Sequence, residues 1–187
     1  VALAKKAGEA IMDIYQKDVE IEYKADESPL TEADKTAHAI IEQGLKVLDQ
    51  QNDTLIPLMS EEGKNIPYEE RVSWDYFWMV DPVDGTKEFV KKNGEFTVNI
   101  ALIRDGRPVE GIVLAPALPV VYFTQGGAAY RAEGDEEPTA IRVAAADDRR
   151  LAAIRAMFDR FDFAPDEADA RARTIYLVQI GYISLQT

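Results

Sequence analysis

The sequence contains no cysteine and only one histidine among its 187 residues. Without cysteine there are no disulfides, thiolate nucleophiles or Cys-rich zinc sites, which is compatible with a reducing compartment. Basic residues are also few, with 21 Lys and Arg against 34 Asp and Glu and a formal net charge of −13. Duplex nucleic acids and anionic lipids are bound through clustered cations, so this charge balance argues against both partners. We expect no nucleic-acid partner and a cytoplasmic location.

Long apolar runs are missing as well. No stretch approaches the roughly 20 apolar residues that a membrane-spanning helix needs. The N-terminal residues 1–6 lack the basic-then-apolar order of a signal peptide. An apolar fraction of 47% and a charged fraction of 29% are typical of a soluble globular protein.

Hydrophobic periodicity predicts helices first and strands afterwards. Apolar residues at helical spacing predict helices at 2–16 and 32–49, and Thr31 and Asp34 have the spacing of an N-cap and its acidic third position. Alternation and turn residues predict strands at 19–23, 54–59, 76–80, 96–103, 109–114, 120–124, 128–131 and 141–143. Weaker patterns predict a helix at 147–160 and a strand at 173–180. This order indicates an α+β fold with layered helices and sheet.

The most informative stretch is Trp78–Phe89, where Asp81-Pro82-Val83-Asp84-Gly85-Thr86 follows an apolar strand. Two carboxylates about 4 Å apart repel by about 4 kcal/mol at an effective dielectric constant near 20. A proline turn that holds them together is therefore explained best by a cation between them. The alternative interpretation is an ordinary turn in which an Asp accepts a backbone hydrogen bond.

Two further acidic clusters lie at the ends of predicted elements, Glu61-Glu62 after a strand and Asp34 at a helix start. Each also has a plain structural interpretation, as a solvated loop and as a helix cap. Together the three clusters offer hard oxygen ligands, which favour Mg²⁺ or Mn²⁺ over zinc. Two such ions would suit phosphoryl hydrolysis.

The combination of motifs resembles the magnesium-dependent, lithium-sensitive inositol monophosphatase superfamily. Within it, Asp84-Gly85-Thr86-Lys87-Glu88-Phe89 and the following residues to Ile103 look closest to the 3′(2′),5′-bisphosphate nucleotidases of the CysQ type. Inositol monophosphatases resemble Asp-Gly-Thr-Thr-Asn-Phe at the same place. The resemblance covers roughly residues 1–143. It implies a layered αβαβα sandwich with an N-terminal metal-binding lobe at 1–143 and a partial C-terminal lobe at 144–187.

The resemblance also implies a role for each matching residue. Asp34, Glu61 and Thr86 would be catalytic, with Glu61 and Thr86 acting on the attacking water. Phosphate and substrate would be held by Asp84, Gly85, Thr86 and Lys87. Two or three Mg²⁺ ions would be bound by Glu61, Asp81, Asp84, Asp34 and the backbone carbonyl of Val83. Lys24 and Glu62 would support these groups without being firm ligands.

The implied reaction is Mg²⁺-dependent hydrolysis of the 3′-phosphate of adenosine 3′,5′-bisphosphate to AMP and phosphate, a housekeeping step of sulfur assimilation. The partner would be a small phosphorylated nucleotide, and the resemblance also allows for a homodimer and for peripheral association with the inner membrane. Inositol monophosphatase activity is one alternative. Relatives carry a further metal-binding Asp in a Trp-Asp-x-Ala-Ala motif, and no Trp follows Trp78. A non-catalytic remnant is therefore a second alternative.

Overall fold

The computed structural model describes residues 1–17, 21–23, 29–64, 66–105 and 107–141. The predicted C-terminal lobe at 144–187, with its helix and strand, lies outside these residues, as does Lys24. No helix in the described part is both long and apolar enough to cross a membrane.

The chain builds two long helices, two short helices and nine strands within the described residues. The helices are α1 (Ala2–Tyr15), α2 (Glu32–Asn52), α3 (Tyr68–Arg71) and α4 (Thr86–Val90). The strands are β1 (Ile21–Tyr23), β2 (Pro29–Thr31), β3 (Leu58–Ser60), β4 (Tyr76–Asp84), β5 (Thr97–Arg104), β6 (Arg107–Ala115), β7 (Val120–Gln125), β8 (Ala128–Glu133) and β9 (Thr139–Ile141).

Seven of the strands form one sheet in the order β3-β4-β5-β6-β7-β8-β9. All neighbours in it are antiparallel except β3 and β4, which run parallel. Strands β1 and β2 form a separate antiparallel pair that leads into α2. Parallel neighbours end at the same edge of a sheet, so the segments that follow β3 and β4 lie side by side.

The main core lies between the sheet and the pair α1 and α2. It includes Ile11 and Ile41 from the helices and Phe89 and Phe96 from the segments around α4, all at most 1% exposed. A Cβ on Gly8 would come within 2.6 Å of the Leu114 side chain, so this glycine lets α1 approach β6 closely. A smaller cluster, which contains Phe77, Met79, Ala101 and Ile103, forms on the alternate residues of β4 and β5.

The α+β prediction is confirmed, as are both long helices and the run of strands that follows them. The predicted capping box is present, because the Thr31 hydroxyl accepts from Ala33 N–H while Asp34 accepts from Thr31 N–H. The strand predicted at 54–59 begins only at Leu58, just after Pro57, which has no N–H for a ladder.

The prediction that a turn separates Asp81 from Asp84 is wrong, since both acids lie inside β4. Of the strand predicted at 141–143, only Ile141 lies within the described residues, where it is the last residue of β9, Thr139–Ile141. Helices α3 and α4 were not predicted.

Candidate metal and phosphate site

A β-bulge in β4 brings the two acids of the central motif to one face of the sheet. Asp81 pairs with Asn99 of β5, and Asp84 pairs with Thr97. Three residue steps along β4 thus match two along β5, so β4 carries one extra residue between the acids. Residues three apart on a regular strand point to opposite faces, whereas residues two apart share a face. Because directly paired residues share a face, both carboxylates face the side that Thr97 and Asn99 face.

Glu61 continues this row of acids directly after the neighbouring strand, β3. Ser60, the last residue of β3, pairs with Val80, and the Glu61 N–H donates to the Val80 carbonyl over 3.1 Å. Glu61 lies close enough to Asp81 to raise the pKa of that carboxyl, by charge repulsion and by a side-chain hydrogen bond. His38 of α2 lies with its Nδ1 2.9 Å from Ser60 Oγ, which ties the end of β3 to the helix.

Thr86 connects the motif to the start of α2. Its hydroxyl lies 3.1 Å from Asp34 Oδ1 and 3.1 Å from the carbonyl oxygen of Val83, so its single hydrogen is shared between these two acceptors. The other Asp34 oxygen, Oδ2, accepts from the Thr31 N–H at 2.8 Å and from the Thr31 hydroxyl at 2.6 Å. Asp34 is 1% exposed. The capping box therefore holds Asp34 next to Thr86. The Asp34 side chain thus serves both as the acidic member of the capping box and as the predicted catalytic residue.

Asp84 is held from the neighbouring strand. The Asn99 side-chain amide donates to Asp84 Oδ2 over 3.0 Å, and the Thr97 hydroxyl donates to Asn99 Oδ1 over 3.1 Å. Both β5 side chains are 7% exposed. This chain of hydrogen bonds runs from the sheet to one oxygen of the carboxylate.

The crowding of acids changes their ionisation. Burial of the carboxyl group, followed by repulsion from Asp84 and Glu61, raises the pKa of Asp81 well above its ordinary value. Asp34 adds a smaller repulsion. Burial also raises the pKa of Asp84, opposed by the hydrogen bond from Asn99, which favours the charged form. Asp81 and Asp84 are half-buried, and Glu61 beside them is exposed. Carboxylates that crowd together and oppose one another's ionisation in this way are typical of a site for a cation.

Gly85 makes the turn out of β4 and caps α4 with φ of +95°. A Cβ at this position would lie 2.8 Å from the Glu95 carbonyl oxygen, so the close approach of the two segments requires glycine. Lys87, one residue into α4 beyond Thr86, is exposed. The proposed contacts of Gly85, Thr86 and Lys87 with phosphate stay predictions.

The donor set fits a hard divalent cation. It consists of carboxylate oxygens from Glu61, Asp81 and Asp84, with a backbone carbonyl of Val83 beside them, and hard oxygen ligands suit Mg²⁺. The three carboxylates are neighbours along the edge of the sheet. Within the described residues, however, no three His, Cys, Asp or Glu side chains come close enough together to surround one metal ion. The residues supply an open row of ligands on one sheet face.

For Asp34, the hydrogen bonds fit a partner of Thr86 better than a metal ligand. Each carboxylate oxygen has about two acceptor sites. Oδ2 already has two donors and Oδ1 has one. The third metal site at Asp34 stays a prediction.

Sequence reasoning missed Asn99 and Thr97. Their signal was present as two polar residues at alternate positions of an otherwise apolar strand, Thr97-Val98-Asn99-Ile100-Ala101. Alternate positions share a face, so the pair indicated a polar spot on one side of β5. Its connection to Asp84 depends on strand pairing, which the sequence does not display.

Comparison with known proteins points to one family. The sequence model of the inositol monophosphatase family matches residues 1–160. The 3′(2′),5′-bisphosphate nucleotidase CysQ of Salmonella typhimurium is 50% identical over 133 residues, which are 70% of this chain and 52% of that protein. The chain thus spans about half the length of the curated relatives that it matches.

Solved structures share the fold. The crystal structure of CysQ from Bacteroides thetaiotaomicron is 42% identical with a TM-score of 0.61, and the match covers 78% of this chain and 57% of that one. An IMPase/NADP phosphatase complexed with Mg²⁺ and phosphate is 20% identical with a TM-score of 0.52, covering 73% of this chain and 46% of that one, and shows the fold alone. With the row of acids across β3 and β4, these matches establish that the chain belongs to the inositol monophosphatase family and is similar to its CysQ-type members.

Proposed function

We propose that the protein is a Mg²⁺-dependent 3′(2′),5′-bisphosphate nucleotidase that hydrolyses the 3′-phosphate of adenosine 3′,5′-bisphosphate to AMP and phosphate. The observation that carries the substrate class is the 50% identity with a CysQ nucleotidase over a segment that contains the whole acidic row. After Asp84-Gly85-Thr86 this chain has Lys87-Glu88, where inositol monophosphatases resemble Thr-Asn. This difference favours a nucleotide substrate over an inositol phosphate.

In this proposal Glu61, Asp81, Asp84 and the Val83 carbonyl hold Mg²⁺, two or three ions in all. When bound, Mg²⁺ supplies positive charge that offsets the charge of the phosphate and acidifies a coordinated water. What supports this assignment is the hard oxygen donor set of these residues. The exposed Lys87 and the amides of Gly85 and Thr86 bind phosphate oxygens.

Thr86 and Asp34 handle the proton of the attacking water. The Thr86 hydroxyl donates to Asp34 Oδ1, so its oxygen can accept a hydrogen bond from water. As water oxygen bonds to phosphorus, its proton passes to Thr86 and the threonine proton moves to Asp34. The bond from phosphorus to the 3′ oxygen breaks, and the leaving oxygen takes a proton from solvent water to become the ribose hydroxyl, while Asp34 returns its proton to solvent. No covalent enzyme intermediate forms.

The test is phosphate release from adenosine 3′,5′-bisphosphate with and without Mg²⁺, compared with release from inositol 1-phosphate. We expect Mg²⁺-dependent release from the nucleotide, inhibition by Li⁺, and complete loss of release in Asp84→Asn with the circular dichroism spectrum retained. Asp13→Asn on the exposed side of α1 is the matched control and should keep its activity. Unchanged turnover of Asp84→Asn would contradict the metal site. Mg²⁺ binding without release would favour the non-catalytic alternative, and preference for inositol 1-phosphate would favour the other enzyme.

The expected cytoplasmic location, the peripheral association with the inner membrane, the homodimer and the place in sulfur assimilation remain predictions.

A further inference from the structure

We propose that Asn99 is a positioning residue that fixes the Asp84 carboxylate for metal binding, and that Thr97 orients the Asn99 amide. The inference rests on the proposed function, because it takes Asp84 to be a metal ligand. It adds two β5 residues to the machinery of a site otherwise built from β3, β4 and the start of α2.

The first support is the direction of the hydrogen bonds. A side-chain amide can present either its oxygen or its nitrogen to a neighbour. An ionised Asp84 can only accept, so it takes the amide nitrogen, 3.0 Å from its Oδ2, and the Thr97 hydroxyl donates to the other end of the amide, Asn99 Oδ1, over 3.1 Å. The amide is thus held with its donor toward the carboxylate.

The second support is placement. Thr97 pairs with Asp84 and Asn99 pairs with Asp81 across the β4–β5 ladder. Each polar β5 side chain therefore lies opposite one acid, and the register shift of β4 sets the Asn99 amide diagonally across from Asp84. Residues this far apart on one sheet face are within reach of each other's longer side chains.

The third support is burial. Thr97 and Asn99 are each 7% exposed, and the next residues on their face, Ala101 and Ile103, are apolar and buried. Burying polar side chains costs free energy unless they are hydrogen-bonded, and apolar residues would serve sheet stability as well. The Thr97 hydroxyl bonds to the Asn99 amide, and the amide bonds to Asp84. Support of the Asp84 carboxylate therefore explains why both residues are polar.

The chemistry of the donor also fits a metal ligand. One oxygen of Asp84 takes the amide hydrogen bond, which restrains rotation of the carboxylate and leaves Oδ1 free of this donor. A neutral amide does this without adding positive charge, whereas a lysine or arginine would repel the cation. Groups that orient a ligating carboxylate in this way affect metal affinity by about 10- to 100-fold.

The test measures Mn²⁺ binding by electron paramagnetic resonance of the free ion, with Mn²⁺ alone as probe. Asn99→Ala removes the donor, and Asn99→Leu removes it while keeping a side chain of similar size. Thr97→Val removes the orienting hydroxyl, and Thr97→Ser retains it. Thr124→Val is the matched control, because Thr124 donates to the Glu110 carboxylate over 2.7 Å within the same sheet but on β7. Thermal unfolding is recorded for every variant.

We expect both Asn99 variants to weaken Mn²⁺ binding by about 10-fold or more. Thr97→Val should weaken it less, while Thr97→Ser and Thr124→Val should bind as the unmodified protein does. Mn²⁺ affinity of both Asn99 variants within twofold of the unmodified protein would overturn the inference, and lowered melting temperature with unchanged affinity would show a structural role only. If Asp84→Asn itself binds Mn²⁺ normally, the proposed metal site has failed, a result distinct from failure of Asn99 alone.

Discussion

Adding a single methyl group at Gly85 should lower the free energy of unfolding substantially. Alanine there would have to keep φ at +95°, a region that costs an L-residue roughly 1–2 kcal/mol. Its Cβ would also meet the Glu95 carbonyl oxygen at 2.8 Å and Phe96 Cα at 3.3 Å. Both contacts are with backbone, which cannot rotate away, and overpacking of this kind costs about 1–3 kcal/mol. Gly85→Ala should therefore lower the free energy of unfolding by about 2–5 kcal/mol.

Gly127→Ala separates the two contributions. Gly127 has φ of +80° in the β7–β8 turn, and a Cβ there would meet nothing within 4 Å. Gly127→Ala should therefore lower the free energy of unfolding only by the conformational cost of positive φ, about 1–2 kcal/mol. Urea unfolding followed by circular dichroism gives both values, provided that the slope with denaturant is the same in each variant. Equal losses in the two variants would refute the argument that close approach to Glu95 requires glycine.

Two other predictions concern the core and the acidic row. Phe89→Ala should cost about 3–5 kcal/mol in urea unfolding, because the ring is fully buried with its centroid 5.1 Å from that of Phe96, whereas Phe123→Ala, at a half-buried ring, should cost less. In EDTA, stability should fall as pH rises from about 4 through the raised pKa of Asp81, since the folded state binds the more protons in that window. Asp81→Asn should show a smaller fall, and an equal fall in both proteins would contradict the electrostatic account.

The long helices and their positions follow from local pattern. Apolar residues recur at helical spacing in α1 and α2, and the capping box at Thr31 and Asp34 is written in four consecutive residues. Such signals need no knowledge of distant contacts. Helices α3 and α4 have four and five residues, too few for a period to show. They form where the chain leaves or enters β4.

In the candidate site too, some residues could be identified from local sequence pattern, whereas others depend on tertiary contacts. Glu61, Asp81 and Asp84 could be identified because acids after apolar strands stand out in the sequence. The hydrogen bond from Thr86 to Asp34 joins residues 52 apart, and Asn99 reaches Asp84 only through the pairing of β4 with β5. Contacts set by tertiary pairing leave little local pattern, so the sequence displays the acids of the candidate site more clearly than the groups that hold them.

The β-bulge explains why each residue type occurs at its position in Asp81-Pro82-Val83-Asp84-Gly85. An extra residue between the acids is needed to put both on one face, and proline is tolerated there because a bulge does not need its N–H for the ladder. Val83 is 2% exposed, so its side chain anchors the bulge while its carbonyl accepts from Thr86. Gly85 then turns the chain within reach of Glu95. A plain turn would explain the proline and the glycine, but not why two repelling acids are aligned on one half-buried face of the sheet, and that alignment is what a cation site requires.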